Sequence, residues 1–179
     1  HGHGEFDPHF WFDMERMAVA AELIGAALAG NGDETFASCG ESVAAEIRAT
    51  EVAVADALSS VLEANRVLVT DHDALGYLAE RYDYDVVGVV IPGGSTLGDA
   101  NSSDLADLVA TIQDEGVRAI FGNTAGSPAL LETLADEVGG SVQVVELFVG
   151  SLGGPGSGAE SYAEMMTTNA ARIASALAD

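Results

Sequence analysis

No lysine occurs in these 179 residues, and six arginines supply all the fixed positive charge. Against 29 Asp and Glu they leave a net charge of −23 at pH 7. Such a surface repels nucleic-acid phosphates and anionic lipid headgroups, so it argues against both as partners. It attracts cations only diffusely, and a solubility or salt adaptation, or a GC-rich genome, is the plain reading of the excess. Cysteine is nearly absent. Cys39 stands alone, which excludes an internal disulfide; it reads as a small buried apolar residue or as half of a bridge to a segment outside these residues. Long apolar runs are missing too. The longest, Val86 to Ile91, falls far short of the ~20 residues that span a bilayer. No basic and apolar leader opens the chain, which begins His1-Gly2-His3-Gly4. The expectation is therefore that a precursor segment was removed or that the chain is an internal fragment.

What is present is enough for one domain with a real core. Three stretches follow one another. In residues 1–32 a loop leads into a short helix, with Met17, Ala20, Ile24 and Leu28 at helical spacing and Gly30-Asn31-Gly32 as the stop. In residues 33–64 Asp33 is placed to cap a helix, and Phe36, Val43, Ile47, Val54, Leu58 and Val61 follow at steps of three, four and seven. No proline interrupts them and Gly40 is tolerable, so about 30 helical residues extending ~45 Å are expected. Residues 65–179 alternate strand and helix four times. Strands are expected at 66–70, 86–91, 119–122 and 142–148, and helices near 74–82, 103–115, 128–138 and 160–177. Continuous Val/Ile runs suit strands covered on both faces, so the fold class is α/β: a four-stranded parallel sheet of (βα)4 type preceded by a long helix. Tyr162, Met166, Asn169, Ile173 and Leu177 share one face of the last helix. Sheets of this kind bind ligands at the carboxyl ends of their strands. His72 falls just past the end of the first strand and Gly150-Ser151 just past the fourth.

Two segments set histidines beside carboxylates: Asp7-Pro8-His9-Phe10-Trp11 and Thr70-Asp71-His72-Asp73-Ala74. Neutral imidazole is the commonest protein ligand for zinc. Their wider context resembles the zinc- and manganese-type (cluster A-I) periplasmic solute-binding proteins that feed metal to ABC importers. His1-Gly2-His3-Gly4-Glu5 running into Asp7-Pro8-His9-Phe10-Trp11-Phe12-Asp13 is similar to that family's His-rich loop and Asp-Pro-His-x-Trp motif, with Met14 where a proline is usual. His72-Asp73-Ala74-Leu75-Gly76-Tyr77-Leu78 resembles its His-Asp-Ala-aromatic-x-Tyr-Phe pattern. Residues 121–138 resemble the third strand and helix of its second lobe, and the segment from Ser151-Leu152-Gly153 to Asn169 resembles its terminal segment.

The resemblance implies two α/β lobes joined by a rigid helix, with this chain as the carboxy-terminal half. Residues 1–32 would end the amino-terminal lobe, 33–64 would be the connecting helix and 65–179 the second lobe. His9 and His72 would be metal ligands, with zinc favoured over manganese because imidazole suits it better. An ABC permease would be the docking partner, the location extracytoplasmic, and no reaction would be catalysed. Asp71 and Asp73 are candidates to orient an imidazole through its second ring nitrogen. Two departures stand out: the amino-terminal ligand lies outside these residues, and Gly150 occupies the place of the family's last carboxylate ligand. A stand-alone module or enzyme without the metal role, and a homodimer formed through the long helix, are the alternatives.

Other motifs carry less. Gly93-Gly94-Ser95-Thr96 lacks both the Walker lysine and GxGxxG spacing and reads as a plain loop. Ser151 has no GxSxG elbow around it. Gly153 to Gly158 is loop punctuation, and Trp11 and Phe12 are expected to anchor a core. His1 and His3 read as a solvated end or a metal-scavenging tail.

Overall fold

The structure, a computed structural model, describes residues 7–91, 102–139 and 142–178. A single 3₁₀ turn, Phe10–Phe12, precedes helix α1, Met14–Ala29. Asp13 caps α1 by accepting the Glu15 and Arg16 N–H groups, which satisfies two of the orphan donors every helix start carries. Helix α2, Thr35–Ser59, then runs back along α1. It has 25 residues, about 37 Å at 1.5 Å per residue, shorter than the spacing predicts. The apolar rhythm does continue to Val61, which is buried, but from a turn rather than from helix. The Ser59 and Ser60 hydroxyls bond back to the Asp56 and Ala57 carbonyls there, an alternative to continued helix.

The α1–α2 pair departs from the periodicity in a second way. Ile24, Leu28, Phe36 and Val43 are all more than 40% exposed, although spacing alone assigns them to the core. The buried line of α1 is instead Met14, Ala18 and Gly25. The reason is the helix crossing: a Cβ on Gly25 would lie 2.6 Å from the Phe36 carbonyl oxygen and 2.9 Å from the Gly40 Cα. Gly40 is thus required by the close approach, not merely tolerated. Cys39, beside it, is exposed rather than buried. We expect Gly25→Val to force the helices apart and cost about 1–3 kcal/mol, the usual penalty of overpacking, read as a lowered midpoint in denaturant.

Strands β1 (Val67–His72), β2 (Asp85–Ile91), β3 (Ala119–Asn123) and β4 (Gln143–Leu147) form one parallel sheet in the order β2-β1-β3-β4. Helices α3 (Gly76–Tyr82), α4 (Ser102–Asp114), α5 (Ala129–Val138) and α6 (Tyr162–Leu177) follow the strands in turn. Alternate strand residues serve opposite faces, as a pleat of period two demands. Leu68, Phe121 and Leu147 join Phe12, Ile47, Leu58, Leu78 and Ile173 in one core beneath α1, α2, α3 and α6. Val69 and Ile120 join Leu108, Ile112, Leu131 and Leu134 in the other, beneath α4 and α5. The α/β class and the four parallel strands are as expected from the sequence. The strand order reverses between β1 and β3, so the crevice at their carboxyl ends is the topological switch point of the sheet. β1 extends two residues further than the sequence suggests, and His72 is its last residue, paired with Ile91.

Candidate metal centre

Four bonds seat the loop that carries His9. The Asp7 carboxylate accepts the His9 backbone N–H at 2.9 Å, closing an Asx-type turn around Pro8. The Tyr77 hydroxyl, from α3, lies 3.4 Å from the Asp7 carbonyl. The Trp11 indole N–H donates to the Val149 carbonyl at 3.1 Å, and the Tyr162 hydroxyl donates to the Trp11 carbonyl at 2.7 Å. Burial pushes the Tyr162 phenol above its ordinary range, so it stays a protonated donor. Phe12, fully buried, anchors the loop in the core below, while Trp11 is half-buried with its ring edge against His9. The loop is therefore fastened to α3, to the segment after β4 and to α6.

His72 needs no loop. It ends β1 at the switch point, and its carbonyl accepts the Thr70 hydroxyl and the Ala74 N–H, both at 2.9 Å, turning the chain toward α3. The two imidazoles meet face to edge, with ring centres 5.5 Å apart and planes inclined at 65°. Both residues are buried, His9 at 8% and His72 at 5% exposure. The Nδ1 of His9 lies 2.7 Å from Asp7 Oδ1, and the Nδ1 of His72 lies 2.7 Å from Asp71 Oδ1. An ionised carboxylate only accepts, so Nδ1 carries the proton in each neutral ring and the lone pair sits on Nε2. Two Asp–His pairs, one from a loop and one from a strand, are thus brought into contact through their rings.

The two histidines singled out from the sequence are brought together across 63 positions of chain. Asp71 bonds its neighbour His72; Asp73 is exposed. His1, His3 and the Gly93–Thr96 motif lie outside the described residues. Gly150 is exposed, and a Cβ there would lie 3.7 Å from the Asn123 side-chain nitrogen. Among the described residues no group of three or more His, Cys, Asp and Glu is placed to hold a metal ion. Asp7, which holds the His9 ring, and Asn123, whose backbone N–H donates to Asp71 Oδ2 at 2.9 Å, were not foreseen in their roles. Asp7 has a local signal, an aspartate two residues before a histidine with proline between; the part played by Asn123 arises from pairing of distant strands and has none.

An open parallel sheet with a loop docked over the carboxyl ends of its strands, and paired imidazoles between them, defines a lobe of the α/β binding-protein class. Residues 1–176 match the family model described as ZnuA, zinc-uptake complex component A, periplasmic, and the chain belongs to that family. It is 31% identical over 97% of its length to the zinc-binding protein TroA of Treponema pallidum, of which it covers 58%. It is 25% identical over 96% of its length to the manganese-binding lipoprotein MntA of Halalkalibacterium halodurans, covering 57% of that protein. The solved structure of the periplasmic zinc-binding TroA superposes with a TM-score of 0.84 at 30% identity, over 98% of this chain and 65% of that one. A manganese-bound mutant of a periplasmic metal-binding protein from Candidatus Liberibacter asiaticus, 19% identical over 97% of this chain and 64% of that one, shares the fold at a TM-score of 0.84. The chain spans somewhat more than half the length of these curated relatives. No described helix is long and apolar enough to cross a membrane.

Proposed function

We propose that this chain is the carboxy-terminal portion of an extracytoplasmic capture protein that holds zinc for an ABC-type importer, with His9 and His72 as its ligands. One observation carries the reading: two buried imidazoles 5.5 Å apart, each with Nδ1 on a carboxylate. An ion about 2.0–2.1 Å from each Nε2, in line with the ring and at a tetrahedral angle, sets ring centres roughly 5 Å apart. The observed ring spacing of 5.5 Å is close to that figure and supports the reading. Carboxylates on the distal ring nitrogens are the usual support for zinc-binding histidine. An all-imidazole pair favours zinc over manganese, which prefers oxygen donors.

Two ligands do not complete a zinc shell. The relatives' extra length and a water are the sources for the remainder, with Gly150 contributing no side chain. The lobe boundaries follow: residues 1–32 close the amino-terminal lobe, 33–64 connect, and 65–179 form the second lobe. The exposed apolar line Leu23, Ile24, Leu28, Phe36 and Val43 is the face that the rest of the amino-terminal lobe covers. The ion is cargo, the permease is the partner, and no reaction is catalysed. Gly150 favours a second reading, a module that has kept the fold and lost the metal. Titration calorimetry separates the two. One saturable zinc site per chain, with manganese binding more weakly, is the expected result. Absence of saturable zinc binding by this chain and by any longer protein that contains it leaves the second reading.

A further inference from the structure

We infer that Asp71 is a positioning residue: it sets the tautomer and the orientation of His72, and it does so as a two-sided latch between β1 and β3. The inference rests on the reading of His72 as a ligand only for its consequence, not for its geometry. Oδ1 of Asp71 takes the His72 backbone N–H at 2.8 Å and lies 2.7 Å from the ring Nδ1. Oδ2 takes the backbone N–H of Asn123, at the end of β3, at 2.9 Å. Asp71 is therefore engaged on both oxygens by three donors, two of them from rigid backbone. Its side chain is only 15% exposed, so these bonds are poorly exchanged for water.

A carboxylate held at both ends cannot rotate away from the imidazole. The ring must present N–H at Nδ1, which leaves the basic lone pair on Nε2. The bond to Asn123 also crosses the switch point between the two central strands. It makes the direction of the His72 ring a property of the sheet rather than of a free side-chain rotor. Asp7 does the equivalent for His9 from within a loop, by Oδ1 alone.

The isosteric change Asp71→Asn tests this. An asparagine offers one acceptor where two sides demand one. If its oxygen stays on the Asn123 N–H, its NH₂ faces His72 Nδ1 and stabilises the Nε2–H form, whose lone pair points away from the site. The opposite orientation sets NH₂ against the Asn123 N–H and breaks the cross-strand bond. Long-range ¹H–¹⁵N spectra of the metal-free protein report the tautomer directly, with His9 as the internal control. The expected result is Nδ1–H at His72 in the parent and a shift toward Nε2–H in Asp71→Asn, with His9 unchanged. Zinc affinity should fall at the same time by roughly 10–100-fold. Asp71→Ala provides a second variant, with the tautomer released to a mixture, and thermal melts confirm folding of both. A His72 spectrum identical in parent and both variants overturns the latch. A tautomer shift in proteins that bind no zinc upholds the latch and removes the zinc reading instead.

Discussion

His72→Ala is expected to lower zinc affinity at least tenfold, about 1.4 kcal/mol, and His9→Ala to do the same. The two effects should not add. A pair of imidazoles on one ion acts as a chelate, so removing either leaves a single donor, and the second removal then costs less than the first. Competition with a coloured chelator measures both singles and the double. Salt dependence supplies the control for the acidic surface. Zinc drawn to a net charge of −23 by diffuse attraction is lost as ionic strength rises, because exposed charges are screened beyond ~10 Å at 0.1 M. Zinc between two buried imidazoles, 8% and 5% exposed, is screened far less. The histidine-dependent part of the affinity should therefore persist in high salt while the remainder disappears. Equal affinity in parent and both single variants at high salt would remove these histidines from the binding site.

The fold was legible in the sequence where burial was two-sided. The runs 66–70, 86–91 and 119–122 suit strands covered on both faces, and all but Arg66 lie in β1, β2 and β3. Helix α6 begins at Tyr162 rather than at the expected 160, behind a capping box formed by Ser161 and Glu164. Failures cluster where one element's environment is decided by another. Ile24 and Leu28 have helical spacing but face outward, because Gly25 and Gly40 let α1 and α2 touch along a different line. Cys39 sits beside that crossing and was expected inside for its residue type alone, yet it is exposed. The end of α2 was overshot because Val61 satisfies the core from a turn, which periodicity cannot distinguish from helix.

The candidate site divides in the same way. His9 and His72 stand out in the sequence through their neighbours, the Asp-Pro and Trp around His9 and the strand end at His72, and their assignment as ligands is what the resemblance implies. Their mutual approach was an expectation of resemblance, and the 5.5 Å between the rings now gives it a geometry. The supporting shell was only partly legible. Asp71 adjoins His72 in sequence and was a candidate to orient it. Its second bond, to Asn123, depends on β1 lying beside β3 rather than on any residue pattern.

Asn169→Leu is expected to destabilise the chain by about 2–4 kcal/mol without touching either histidine. Asn169 is fully buried on α6, and its amide oxygen accepts the Phe148 N–H while its NH₂ donates to the Phe148 carbonyl, each at 2.9 Å. Phe148 is the first residue beyond β4, where the sheet offers no further partner. The amide therefore stands in for a strand and closes the ladder. Leucine fits the volume but leaves a buried N–H and a buried C=O unpaired, at about 1–3 kcal/mol each, offset in part by its own apolar burial. For a chain of this size, each kcal/mol shifts the melting midpoint by roughly 2–4 °C, so a drop of about 10 °C is the readout. Thr167→Ala, at an exposed neighbouring position, should stay within about 0.5 kcal/mol and serves as the control. The consequence for the site follows from the next residue. The Val149 carbonyl holds the Trp11 indole, and Trp11 packs its edge on His9. Loosening Phe148 frees that carbonyl and slackens the loop, so zinc affinity in the folded variant should also fall. A melting midpoint unchanged from the parent would show that α6 does not hold the end of β4, and with it the seat of the His9 loop.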